Sequence, residues 1–379
     1  MLPLLYQKHL ENQLSLPEIL FFNILINILQ DIKEISLEKL STVLPLPILF
    51  ESRRKKVQRF ISLPSLSIKK LWFPIIQSWL EQEFDETQVI YLVIDRTNWA
   101  RVNLFMVSLV HDQRSIPIYF QILTKLGSSN FSEQSEIIAQ VTPLFLKYKV
   151  CVLGDREFCS VKLANWLRES GLSFCLRLKK SEFIELEPGI WLEVSQLGLK
   201  PGISLFIPGV KVTKSHNFLP FNLACKWQRS LKKSSKEGWF ILTNLSSCEG
   251  AIIAYKKRFG IEEMFKDFKS GGYNMEDTKV SGARLISLIL IISFAYSLST
   301  FKGQNIKRKG GQKYVGRVKE YGRSQRRHSS FYIGLYGQNW VNFMADSRSL
   351  VEELMSINSN KLEHYLRGLR VMNLILNAS

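Results

Sequence analysis

Tyr255, Arg258, Glu262 and Lys269 follow one another at offsets of three, seven and fourteen from the tyrosine. With about 3.6 residues per helical turn, those offsets return all four side chains to one side of a helix. The stripe carries a phenol, a guanidinium, a carboxylate and an ammonium. The opposite arc holds Ile261, Met264, Phe265 and Phe268, the face such a helix buries. The stripe is therefore expected to be exposed, with a carboxylate standing among phosphate-binding groups. That arrangement suits a metal-assisted reaction on a nucleic-acid backbone. Glu263, one residue along, turns off the stripe by roughly 100° and falls outside it.

Two aspartates join Glu262. Asp95 and Asp155 each close an apolar run of strand character, Val89–Asp95 and Val150–Leu153 followed by Gly154-Asp155. Strand ends in open α/β sheets are where active sites collect. Three carboxylates meeting at a sheet edge make a hard-oxygen site for Mg²⁺ or Mn²⁺. Two such ions about 4 Å apart activate an attacking oxygen and stabilise a leaving oxygen in a displacement at phosphorus. Taken singly, an Asp after a strand reads as an Asx-turn or a helix N-cap, and a Glu/Lys stripe as a solvated face. The conjunction favours a site. Glu157, close to Asp155, reads as a supporting residue.

The elements that must position these groups follow from texture. Strand candidates run over 89–95, 101–110 and 116–123, then a helix over 132–147, a strand over 150–153, a helix over 161–170 and a strand over 173–178. Three strands, helix, strand, helix, strand is the order of a ribonuclease-H-like mixed sheet with flanking helices. Pro188-Gly189, Pro201-Gly202 and Pro208-Gly209 punctuate short runs between about 179 and 238 and mark a β-rich insertion. That insertion ends in a basic cluster, Lys226, Arg229, Lys232, Lys233 and Lys236, and the run Trp239–Leu245 returns to the main sheet. Residues 1–86 read as a helical DNA-binding region, with a helix-turn-helix candidate in 37–61 whose second helix carries Arg53, Arg54, Lys55, Lys56 and Arg59. Residues 87–300 form the catalytic domain. Residues 301–379 hold a basic loop, expected to order on a polyanion, and then a helical region.

Composition narrows the function class. The 379 residues carry 51 Lys+Arg against 33 Asp+Glu, a net charge of +18, which points to a polyanionic partner. The 46% hydrophobic and 12% aromatic content argues against disorder. The five cysteines form no C-x-x-C pair and fit reduced thiols in a cytoplasmic setting. No signal-peptide pattern opens the chain, and the apolar stretch Leu285–Leu298 is read as a buried helix with no membrane partner.

Asp95-Arg96-Thr97, Gly154-Asp155-Arg156-Glu157 and the spaced Tyr255/Arg258/Glu262/Lys269 together resemble the bacterial insertion-sequence transposases of the DDE type that carry a Y-R-E-K signature (insertion-sequence family four). The resemblance covers about 87–300. It implies Asp95, Asp155 and Glu262 as ligands of two Mg²⁺ or Mn²⁺ ions, and Tyr255, Arg258 and Lys269 as contacts to DNA near the element's end. It implies cut-and-paste chemistry on double-stranded DNA, the inverted repeats first and the target later, by a homodimer assembled on DNA in the bacterial nucleoid. A hairpin step in relatives uses an aromatic side chain ahead of the signature helix to hold an extruded base. Trp239 is the matching position, with Trp191 and Trp227 as weaker alternatives. A ribonuclease-H-like nuclease that never joins strands, or an inactive DNA-binding derivative, would share most of these residues.

Overall fold

The structure, a computed structural model, describes residues 2–213, 218–227, 238–322, 327–357 and 359–377. Arg229, Lys232, Lys233 and Lys236 of the insertion's basic cluster, and Arg323 and Arg326 of the basic segment, lie outside the described residues. The chain divides into two compact units, residues 72–265 and residues 1–71 with 266–379.

In chain order the elements are α1 (Leu4–Glu11), α2 (Leu16–Ile32), α3 (Leu37–Val43), α4 (Phe50–Phe60), α5 (Phe73–Glu83), β1 (Val89–Trp99), β2 (Val102–His111), β3 (Arg114–Ile122), α6 (Phe131–Val141), β4 (Lys149–Gly154), α7 (Val161–Glu169) and β5 (Ser173–Arg177). There follow β6 (Phe183–Glu187), β7 (Ile190–Glu193), β8 (Ser204–Val212), β9 (Phe221–Lys226), β10 (Trp239–Thr243), α8 (Cys248–Lys256), α9 (Phe259–Phe268), α10 (Gly282–Arg308), α11 (Gln312–Val315), α12 (Ser330–Asp346), α13 (Arg348–Ile357) and α14 (Leu362–Leu376).

Unit 72–265 is built on one ten-stranded sheet of order β3-β2-β1-β4-β5-β10-β9-β8-β6-β7. β1, β2 and β3 pair antiparallel, whereas β4 pairs parallel with β1 and β5 parallel with β4. An antiparallel opening meander feeding a parallel centre, with α6 and α7 as crossovers, is the ribonuclease-H-like arrangement. The central strands are apolar on both faces: Leu92, Val93, Ile94, Val152 and Leu153 are all essentially inaccessible to solvent. Local signals set the crossover helices. Asn130 and Glu133 form a reciprocal capping box at the start of α6, and the Ser160 hydroxyl accepts from the Leu163 amide at the start of α7.

One feature of this sheet differs from the sequence expectation. β1 does not stop at Asp95 but continues to Trp99, paired with β2 through Trp99↔Val102. Its polar last residues include Arg96, which donates to Glu157 and Asn103. The insertion strands join the main sheet: β9 pairs antiparallel with β10, β8 with β9 and β6 with β8, so they lengthen it. β10 lies inside the sheet, flanked by β5 and β9.

Gly154 ends β4 where two strands and a turn converge. A Cβ there would stand 2.9 Å from Leu176 Cδ2 and 3.0 Å from Phe158 Cβ. Gly154→Ala is therefore expected to cost about 1–3 kcal/mol by overpacking, read as a lower urea midpoint at unchanged slope. An unshifted midpoint would show that β5 yields freely at this point.

The other unit is helical. α10 packs on α2 and α12, with the Tyr6 hydroxyl 3.0 Å from Ser297 Oγ and Gln30 Nε2 donating to Ser299 Oγ at 3.2 Å. α10 is a 27-residue helix, so the apolar run Leu285–Leu298 is only its middle. It is long and apolar enough by length and composition to cross a membrane, and 78% of its apolar window is buried. The helix also takes in Lys302, Lys307 and Arg308, which sequence reading placed in a loop. Ile306 continues its buried face, while Lys307 and Arg308 suit a helix C-terminus. The α3–α4 pair forms as expected, but Arg54 Nε is held by Glu38 Oε1 at 2.7 Å, and Lys56 Nζ lies 5.2 Å above the Phe21 ring.

Candidate active site

Asp95 lies in β1 one residue beyond the end of its parallel pairing with β4, whose last matched pair is Ile94↔Gly154. Asp155 directly follows Gly154. The two aspartates thus stand at the same level of the sheet, Asp95 within β1 and Asp155 just past the end of β4. Asp155 occupies an N-cap position before a single 3₁₀ turn, Arg156–Phe158, but its carboxylate makes no capping bond. It instead accepts from the Tyr255 hydroxyl at 3.2 Å and lies 3.8 Å from Arg177 Nη1. Asp155 is therefore an N-cap by position only.

The signature segment departs from the single exposed helix expected. It is two helices: α8 ends at Lys256, Lys257 and Arg258 form a turn, and α9 begins at Phe259. Tyr255 and Arg258 are buried at 0% and 4% exposure, so they are no solvent stripe. The break lets Arg258 turn inward. Its Nη1 stands 3.5 Å from Asp95 Oδ2, and its Nη2 donates to Glu262 Oε1 in the first turn of α9. One guanidinium therefore bridges two of the three carboxylates. The opposite arc behaves as expected, with Ile261, Met264, Phe265 and Phe268 buried. Glu263 faces away and pairs with Arg114 Nη1 at 3.1 Å. Lys269 follows the end of α9, in the other unit, where its Nζ lies 2.6 Å from Glu276 Oε1.

Charge in this cluster is strained by burial. Burial pushes the Asp95 carboxyl up to about 6; the Arg96 amide and Arg258 pull it down, and Asp155 and Glu262 add to the rise. Burial works against the Arg258 charge, but Tyr255, Asp155, Glu262 and Asp95 around it hold its pKa above the ordinary value. Burial raises the Tyr255 phenol, so it stays protonated and donates.

Glu157 has the supporting place expected of it. It receives Arg96 Nε at 2.7 Å and Nη2 at 2.8 Å, and the Ser129 amide at 3.2 Å. Burial alone would raise its pKa, yet these donors hold it below the ordinary carboxylate value. Trp239 opens β10, half-buried, its ring 5.2 Å from Tyr255 and 5.9 Å from Phe259. Trp191 lies on β7, the far edge strand, four strands beyond β10. Arg177 is a site residue that sequence reading missed. Its only signal was a charge closing the apolar run of β5.

Among the described residues, no three His, Cys, Asp or Glu side chains stand close enough together to hold a metal ion as the chain is arranged. The donor chemistry nevertheless fits a hard divalent cation. Asp95, Asp155 and Glu262 offer only carboxylate oxygens, their mutual repulsion raises Asp95, and a cationic group already sits between Asp95 and Glu262.

The family model described as "Transposase DDE domain" matches residues 92–298, more than half of the chain. No curated protein matches. Among solved structures, the piggyBac transposase synaptic complex with hairpin DNA aligns over 95% of this chain and 76% of its own, at 14% identity and a TM-score of 0.47. Marinitoga piezophila Argonaute with 5′ OH guide RNA aligns over 55% and 31%, at 12% identity and a TM-score of 0.23. The same Argonaute with guide RNA and target DNA aligns over 58% and 33%, at 10% identity and a TM-score of 0.24. The family match runs from β1 to α10 and takes in the ribonuclease-H-like sheet with all three carboxylates, so this chain belongs to the transposase DDE-domain family.

Proposed function

We propose that this chain is an insertion-sequence transposase of the Y-R-E-K group that moves its element by cutting and pasting double-stranded DNA in the bacterial nucleoid, as a homodimer formed on DNA. The observation that carries the reading is the Arg258 bridge between Asp95 and Glu262, with Tyr255 on Asp155. Asp95, Asp155 and Glu262 would hold two Mg²⁺ or Mn²⁺ ions, which when bound supply an activated oxygen nucleophile and charge stabilisation at phosphorus.

The chain's own groups do the rest. Tyr255 fixes the Asp155 carboxylate by donating from its hydroxyl. Arg258 offers a buried, permanently charged fork suited to a phosphate. Lys269 contacts DNA beside the element's end. Water cleaves one strand at the tip and leaves a 3′-OH. That hydroxyl attacks the opposite strand to close a hairpin, which is reopened before the 3′-OH attacks target DNA. Trp239, packed beside Tyr255 and Phe259, receives the base extruded at the hairpin.

The test incubates the protein with Mg²⁺, a duplex carrying the element's inverted repeats, and a target plasmid. Joined products support the reading. Cleaved ends without joining would make the protein a hydrolase. In the same assay Trp239→Ala is expected to keep the first nick and lower hairpin closure roughly ten- to a hundredfold, because stacking a base on an aromatic ring is worth about 1–3 kcal/mol. Equal loss of nick and hairpin would remove Trp239 from the base-holding role.

A further inference from the structure

We infer that Arg96 and Glu157 form a clasp that sets the separation of Asp95 and Asp155, making them positioning residues for the metal-binding pair; the inference rests on the proposed metal site. The parallel ladder between β1 and β4 ends at Ile94↔Gly154, one residue before each aspartate. Beyond that level the ladder matches no further pair of described residues. A side-chain pair takes over. Arg96 adjoins Asp95, Glu157 lies two residues after Asp155, and the fork-to-carboxylate bonds of 2.7 and 2.8 Å span the gap.

Both ends of the clasp are anchored. Arg96 Nη1 donates to Asn103 Oδ1 at 2.9 Å, and Asn103 Nδ2 donates to the Lys125 carbonyl at 2.7 Å and the Gly127 carbonyl at 3.0 Å. Glu157 accepts from the Ser129 amide at 3.2 Å. The loop between β3 and α6 is thereby tied to both aspartate-bearing segments. The Arg96 amide also donates to Asp95 Oδ1 at 2.7 Å, so tilting Arg96 turns the Asp95 carboxylate. The pair is largely shielded, with side-chain exposures of 14% and 24%, which keeps its geometry from being averaged by water.

The test is calorimetric titration of Mn²⁺ into the full-length protein without DNA, beside thermal unfolding of each variant. Glu157→Gln keeps the shape and loses the charge. Arg96→Lys keeps the charge and loses the two-pronged geometry. Both are expected to bind Mn²⁺ roughly ten- to a hundredfold more weakly, as is typical when partners that orient metal ligands are lost. Glu185→Gln is the control, because it breaks a comparable pair with Lys211 (3.2 Å) within the insertion strands. It should leave Mn²⁺ affinity unchanged. Wild-type affinity in both clasp variants overturns the inference, as does an equal loss in the control. If the unaltered protein binds no Mn²⁺, the metal reading falls and the clasp with it.

Discussion

Glu262→Gln should lower metal-dependent cleavage at the inverted repeats by roughly a thousandfold, the upper range for losing one group that stabilises charge in the transition state. Stability should barely change. The Glu262 side chain is 50% exposed, and a pair with a solvated member contributes at most about 1 kcal/mol. DNA affinity and its fall with salt should also persist, because they reflect Lys and Arg contacts to phosphate. The measurement is single-turnover cleavage of an end-labelled duplex beside a binding titration over a salt series. A variant that cuts at the parental rate would take Glu262 out of the chemistry, and one that loses DNA binding in parallel would make it an architectural residue.

Arg258→Ala should act on folding as well as on turnover. The guanidinium is buried at 4% exposure and faces Asp95, whose own side chain is 20% exposed. Removing one member of a buried pair strands the other charge, which costs about 3–5 kcal/mol in well-shielded cases. The solvated Glu262 places this site near the lower bound, so the expected loss is about 3 kcal/mol in urea unfolding. Adding Asp95→Asn to the alanine variant should restore part of that loss, because the stranded charge disappears. Failure of the double variant to regain any stability would mean that the guanidinium matters through packing against Phe259 and Tyr255, 5.1 and 5.8 Å from its centre.

Much of the catalytic unit was legible because its strands are apolar runs closed by turn residues. The segments 116–123, 150–153 and 173–178 appear as β3, β4 and β5 with shifts of one or two residues. The parts that were not legible share a cause: polar groups whose partners lie far away in sequence. Arg96, Thr97 and Asn98 look like the end of a strand until Glu157 and Asn103 are seen to receive Arg96. The break at Lys257–Arg258 contains neither Gly nor Pro, and the partner its Arg258 meets, Asp95, lies 163 positions away. Periodicity alone runs straight through such a point. The spacing of Tyr255, Arg258 and Glu262 thus found residues that do cluster, while the geometry it implied, one exposed face, was wrong. Lys302–Arg308 misled in the opposite sense, because a charge run also suits the last turns of a long helix.

The interior place of β10 has a consequence for how such proteins can vary. Because β9 hydrogen-bonds to its outer side, β6–β9 shield what would otherwise be an open row of amides and carbonyls beside Trp239. Excising residues 183–226 would bare that row and invite edge-to-edge association between molecules. Shortened versions of this architecture must then carry some substitute cover there, so length in this segment is constrained by solubility as well as by recognition.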